Sequence, residues 1–227
     1  MFRCFGVAIE GPSLQDALAT NARWIVTANP EILLAAKRDA TYRDILNQAD
    51  LRTADGVGLT LVARLKGHKL HRVTGVDLAE AVAKNAKHLA IIGGAGESAE
   101  RALKHLNVPG IALHGGTVNA DGTGDATNDE AVHQLIMEAP DVLLVAFGHP
   151  KQERWIARNL PNLPSVRRVI GVGGAIDFWA GNTPRAPKWL RALGLEWLFR
   201  LFHEPTRITR IWNAIIIFPL ARLFNRQ

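Results

Sequence analysis

A single carboxylate, Asp55, stands in a glycine-flanked turn between two apolar segments in "LRTADGVGLTLVARLKG" (51–67). Asp55 either shapes that turn or performs chemistry there. Asp-Gly alone favours the turn. "GGAGES" (93–98) carries glycines, Gly93 and Gly94 first, that let backbone N–H groups approach a phosphate at a helix start. It is not a full G-x-G-x-x-G, because Ser98 occupies the third position, so it also reads as a tight turn that Ser98 helps to cap. "GVGGAIDFWAG" (171–181) is a second glycine turn, with Gly171, Gly173 and Gly174 followed by Asp177. An Asp there can accept from a ribose or a base, or simply cap a short helix. "FGHPKQERW" (147–155) groups His149, Lys151, Gln152 and Arg154, as a ligand surface would, though Pro150 and Glu153 also suit an ordinary helix start. In "HRVTGVDLAEAVA" (71–83), Arg72 is placed to pair with a phosphate or to remain a solvated charge. "DGTGD" (121–125) lacks the full calcium-loop pattern and reads as a turn. No His/Cys cluster has zinc spacing and no G-x-S-x-G elbow occurs.

Positioning these residues requires strands that end where they begin. "RWIVTANPEILLAAKRD" reads as a short apolar strand, then Asn29 as N-cap and Pro30 at the first helical position. "KHLAIIGGAGESAERALKHL" and "DVLLVAFGHPKQERWIARNL" repeat strand, turn and helix, and "VRRVIGVGGAIDFWAG" adds a fourth buried strand. Strands apolar throughout and spaced by helices predict an α/β fold, a Rossmann-like parallel sheet with helices on both faces. Ligands bind such sheets at the carboxyl ends of the strands, where every one of these turns lies.

The chain has 227 residues, 48% apolar and 21% charged, long enough for one large domain or two small ones. Cys4 is the sole cysteine, which excludes an internal disulfide and fits a reducing compartment. The opening "MFRCFGVAIEGPS" reads as mature sequence rather than a signal peptide, and no uninterrupted apolar run is long enough to span a bilayer. The net charge of +6 is uneven: residues 185–227 hold eight Lys/Arg against two Glu, while the preceding residues balance. That tail also holds seven of the fifteen aromatics. The chain therefore divides, at "GNTPRAPKW", into a body (1–184) and a basic, aromatic-rich helical appendage (185–227). Basic residues with Trp and Phe suit the anionic interface of a bilayer; the same helices could instead pack on the body and complete its core.

Together, "TANPEI" (27–32), "ADGVGL" (54–59), "RVTGVDL" (72–78), "FGHPKQE" (147–153) and "GVGGAIDFWAGNTPRAP" (171–187) resemble, in order, the successive motifs of the WecG/TagA/CpsF family, glycosyltransferase family 26. "GLEWLFRLFHEPTRITR" (194–210) resembles that family's C-terminal appendage. The resemblance implies an inverting, membrane-associated bacterial enzyme that moves a sugar from a UDP-sugar to a polyprenyl-diphosphate-linked saccharide in cell-surface polysaccharide synthesis, at the cytoplasmic face of the plasma membrane. It implies no metal and no other cofactor. It makes Asp55 the general base, and Thr27 and Asn29 a polar pair beside it. Arg72 is implied near the diphosphate and Gln152 against substrate. Gly171, Gly173, Gly174 and Asp177 are implied on the nucleotide side, and Gly93 and Gly94 are substrate-binding candidates from the glycine turn itself. Arg200, Arg207 and Arg210 are the arginines that the appendage would bring to the site. No nucleic-acid partner is expected, and self-association through the apolar tail stays open. Two other classes stay open too: a different nucleotide-dependent Rossmann enzyme such as an oxidoreductase, and a non-enzymatic membrane-binding module.

Overall fold

The computed structural model describes residues 1–203 and 208–224, without the side chains of residues 192, 200, 203, 210, 223 and 224. The chain opens on an antiparallel hairpin, β1 (Phe2–Cys4) and β2 (Val7–Ile9), turned at Phe5-Gly6. It continues through α1 (Leu14–Ala19), β3 (Trp24–Ala28), α2 (Pro30–Arg38), α3 (Ala40–Gln48), β4 (Leu51–Ala54), α4 (Val57–Leu65) and α5 (Gly75–Lys84). Next come β5 (Leu89–Gly93), α6 (Ser98–Leu106), β6 (Gly110–Leu113), α7 (Ala126–Glu138), β7 (Val142–Ala146), α8 (Lys151–Asn159), β8 (Arg168–Gly171) and α9 (Ala175–Trp179). The tail forms α10 (Lys188–Ala192), α11 (Glu196–His203), α12 (Ile208–Trp212), a π-helical turn (Asn213–Ile217) and α13 (Phe218–Phe224).

Strands β3 to β8 make one parallel sheet in the order β4-β3-β8-β7-β5-β6. Strand residues alternate between two apolar layers. Val26, Ala28 and Ala54 face Leu33, Leu46, Leu59 and Trp155. Ile25 and Leu51 face Val76, Leu78 and Ala102 on the other side. Both faces are therefore covered, which is why these strands read as continuous apolar runs. The fold is Rossmann-like, as the strand and turn pattern predicts.

Register decides what meets at the carboxyl edge. Ala28 pairs with Ala54, and the Asp55 N–H continues the ladder by donating to the Ala28 carbonyl at 2.8 Å. Asn29 and Asp55 thus leave the sheet side by side. Asn29 caps α2, its Oδ1 accepting from Ile32 N–H at 3.0 Å, with Pro30 at the first helical position. Thr74 caps α5, accepting from Asp77 N–H at 3.2 Å and donating to Asp77 Oδ2 at 2.6 Å. Ser98 does not cap α6. It is the first helical residue, and its hydroxyl donates back to the Ala95 carbonyl at 2.6 Å. In "DGTGD", Asp121 accepts from the Thr123 N–H and hydroxyl, and Asp125 caps α7.

The tail packs on the body along one face. Phe218 is fully buried in the same apolar layer as Phe2 and Val7, edge-on to Phe5 at 6.0 Å between ring centroids. Arg222 lies over the Phe2 ring and donates to the Arg3 carbonyl at 3.0 Å. The opposite face carries Ile208, Trp212, Ile216 and Leu220, four residues apart and exposed. Among the described residues no helix is long and apolar enough to cross a membrane.

Candidate active site

Three cavities open along the carboxyl edge of the sheet. The first, about 350 Å³, is lined by Thr27, Asn29, Asp55, Gly75, His149, Gln152 and the 171–175 turn. The second, about 450 Å³, is lined by Gly93, Gly94, His114, Phe147, Lys151 and Asp177, and shares Gly148, Gly173 and Gly174 with the first. It lies between the ends of β5 and β7. From there one connection runs outward to β6 and the other runs back to β8, a topological switch point of the kind that takes nucleotides in open α/β sheets. The third, about 290 Å³, is largely apolar. Val57, Leu61, Trp197, Ile215 and Pro219 line it together with Arg72, and it shares Asp55 and Gly56 with the first.

Asp55 therefore forms part of the wall between a polar cavity and an apolar one. Its Oδ2 accepts from the Gly75 N–H, at the start of α5, at 3.0 Å. That bond fixes the carboxylate's direction. Gly75 is small for a reason: a Cβ built there would sit 3.0 Å from Thr27 Oγ1 and 3.5 Å from Asp55 Oδ2. Any larger residue would intrude on the pair. Asn29 lines the same cavity, and its cap bond engages only Oδ1, so the amide nitrogen is not committed to the cap.

Gln152 is buried, with both ends of its amide engaged. Oε1 accepts from Gly173 N–H at 3.0 Å, and Nε2 donates to Glu153 Oε1 at 2.7 Å. Glu153 Oε2 accepts from the Tyr42 hydroxyl at 2.8 Å. Burial pushes the Glu153 carboxyl above the ordinary carboxylate range, against the bonds from Gln152 and Tyr42, which favour its ionised form. Burial, and then the charge of Glu153, push the Tyr42 hydroxyl well up, so it stays a donor. A chain of buried hydrogen bonds thus runs from α3 through α8 to the 171–174 turn. Gly171 makes room for it, because a Cβ there would lie 2.5 Å from Gln152 Nε2. Tyr42 and Glu153 were invisible as site residues in the sequence, where Glu153 reads as an ordinary helix-start acid. A carboxylate one position from Gln152, on the inner side of α8, was the available signal.

Asp177 sits in the first turn of α9 rather than at its cap, and its Oδ1 accepts from Asn182 Nδ2 at 3.1 Å. Arg72 lies on the apolar side of Asp55, its guanidinium donating to the Arg191 carbonyl. Asp77 ties the tail down: Arg185 donates to its Oδ1 at 2.6 Å and Arg191 at 3.2 Å. Partial burial alone would raise the Asp77 carboxyl. The Thr74 hydroxyl and the two arginines outweigh it and hold the carboxyl below its ordinary value of 3.8. Arg207 lies outside the described residues, and so do the side chains of Arg200 and Arg210. Among the described residues no group of three His, Cys, Asp or Glu side chains is placed to hold a metal ion.

Fold and cavities together define the class: a Rossmann-like α/β protein with a polar site at the strand ends and an apolar annex built by its tail. Residues 2–227 match the model of the "Glycosyl transferase WecG/TagA/CpsF family". A Staphylococcus aureus (strain MRSA252) protein named N-acetylglucosaminyldiphosphoundecaprenol N-acetyl-beta-D-mannosaminyltransferase is 34% identical over 213 residues, covering 90% of this chain and 82% of that protein. The protein of the same name from strain MW2 is 33% identical over 212 residues, with the same coverage. The chain belongs to the WecG/TagA/CpsF glycosyltransferase family. Membership sets it among glycosyltransferases, not among the oxidoreductases or the non-enzymatic modules that the sequence left open.

Proposed function

We propose that the chain is an inverting glycosyltransferase that moves a sugar from a UDP-sugar onto a polyprenyl-diphosphate-linked saccharide, with Asp55 as general base. The observation that carries this reading is the position of Asp55: an oriented carboxylate shared by a polar cavity and an apolar one. The nucleotide occupies the second cavity, near Gly93, Gly94, Lys151 and Asp177, and its sugar reaches past Gly173 and Gly174 into the first. The acceptor enters from the apolar side, with its diphosphate toward Arg72. The relatives' name, with its lipid-diphosphate acceptor, supports an acceptor of that class.

In the reaction, the acceptor hydroxyl oxygen attacks the anomeric carbon as its proton passes to Asp55. The bond from that carbon to the UDP oxygen breaks, and UDP leaves with the electron pair on the opposite face. One displacement inverts the centre. Positioned base catalysis of this kind contributes typically ~10²–10⁴-fold. Thr27 and Asn29 orient the sugar hydroxyls. Gln152 is a positioning residue, because its amide holds the Gly173 turn. Arg72 and Lys151 offset the charge on the diphosphates. No metal is required in this scheme. The exposed face of the tail rests on the cytoplasmic surface of the membrane, where the acceptor resides.

The test is UDP release from UDP-sugars in the presence of a short-chain polyprenyl-diphosphate-GlcNAc, with and without EDTA. Turnover that needs acceptor and survives EDTA is expected, with UDP-N-acetylmannosamine the first donor to try. Turnover that EDTA abolishes would overturn the metal-free scheme. Hydride transfer to or from NAD(H), with no UDP release, would overturn the whole reading.

A further inference from the structure

Helix α4, which begins two residues after Asp55, is apolar on both sides. Leu59, Val62 and Ala63 face the core. Val57, Leu61 and Leu65 form a ridge at i, i+4 and i+8 that continues the wall of the third cavity, lined by Val57 and Leu61, onto the outer face, and they are 39%, 52% and 63% exposed. Single exposed apolar residues are ordinary, but a contiguous ridge marks a contact surface. The ridge runs directly into "RLKGHKLHR" (64–72), which holds Arg64, Lys66, Lys69 and Arg72 with His68 and His71. No Asp or Glu lies between Val57 and Arg72. The balanced charge of the body as a whole conceals this run.

The ridge adjoins the tail. A Cβ built on Gly194 would meet Val57 Cγ2 at 2.4 Å, and one built on Gly58 would meet the Ala214 carbonyl at 3.0 Å. An apolar ridge bordered by a cluster of cations matches an anionic bilayer, which offers acyl chains and phosphates at adjacent depths. It is a poor match for a protein partner, because interface cores are depleted in Lys.

We propose that the α4 ridge and the 66–71 loop form a second bilayer contact, on the catalytic body itself, which seats on anionic lipid. The proposal deepens the reading of the chain as a transferase on a lipid-borne acceptor and rests on it. A nine-residue helix is about 13 Å long, so a bilayer held by α4 lies within about that distance of Asp55. The body would then set the height of the site above the membrane, and the tail would not do so alone.

The experiment is co-sedimentation of the full chain with vesicles of phosphatidylglycerol and phosphatidylcholine, against pure phosphatidylcholine, at low and high salt. The variant Arg64→Glu/Leu65→Glu/Lys69→Glu changes exposed side chains outside the three cavities. It should lose roughly tenfold or more in partitioning to the anionic vesicles while keeping wild-type turnover on a water-soluble short-chain acceptor. A milder variant, Arg64→Gln/Lys69→Gln, should lose less, and the loss should shrink at high salt. Partitioning equal to wild type in the triple variant would overturn the proposal. So would wild-type partitioning indifferent to anionic lipid, or a change in oligomeric state without vesicles, which would make the ridge a contact between copies. Failure of wild type to turn over the soluble acceptor would strike the functional reading instead, because that assay contains no bilayer.

Discussion

The two cavities that meet at Asp55 are built by different means. The polar one has walls of strand ends and glycine turns, held by hydrogen bonds from Tyr42 through Glu153 and Gln152 to Gly173. The apolar one has the body on one side and tail helices on the other, joined by packing and by the ties of Arg185 and Arg191 to Asp77. Buried hydrogen bonds fix geometry to tenths of an ångström, and breaking one leaves an unsatisfied group. Apolar packing with a few charged ties is more tolerant of shape. In the proposed reaction the soluble donor of fixed shape uses the first wall, and the long, repetitive lipid uses the second.

The sharpest way to break the comparison is Asp55→Asn. The amide oxygen can still accept from Gly75 N–H, so the fold and both cavities should survive while turnover falls by ~10²–10⁴-fold. Turnover unchanged in that variant would return Asp55 to the role of a turn residue. Tyr42→Phe tests the polar wall. It removes the donor to a buried carboxylate and should cost about 1–3 kcal/mol, read by urea denaturation, and should raise the donor KM more than the acceptor KM. Trp197→Ala tests the apolar wall. It should raise the KM for a long-chain acceptor roughly tenfold, about 1.4 kcal/mol, with the donor KM unchanged. The two KM effects moving together would end the division between the cavities.

The smallest effect concerns the tie at Asp77. A carboxyl held below 3.8 when folded contributes stability that is fully present above that pH and is lost as pH falls through the lower folded value. Asp77 is partly exposed, so solvent screening keeps the contribution below about 1 kcal/mol. Acid titration of tail docking, followed by tryptophan fluorescence, should show a low-pH transition in wild type that is absent in Asp77→Asn.

The strands were legible because burial on both faces demands uninterrupted apolar runs, as in Trp24–Ala28 and Val142–Ala146. Asn29 was legible as a cap because a cap bond spans only three residues. Motif order carried the family, with Asp55, Thr27 and Gln152 in it. The hairpin at Phe5-Gly6 is marked in the sequence by its glycine alone, a weak turn signal. The role of Gln152 was not legible either, because its partner Gly173 lies 21 positions away and Tyr42 lies 111 from Glu153.

By itself, then, the sequence determined the parallel sheet, the Asn29 cap and the list of polar residues at strand ends, all set by periodicity and contacts a few residues long. Only the tertiary structure decided which of those residues share a wall. The register of Ala28 against Ala54 set Asn29 beside Asp55, and the approach of α5 aimed the Gly75 N–H at the carboxylate. The packing of Phe218 left one face of the tail apolar and exposed. Those outcomes depend on pairings between distant segments, which side-chain order along one chain does not encode locally.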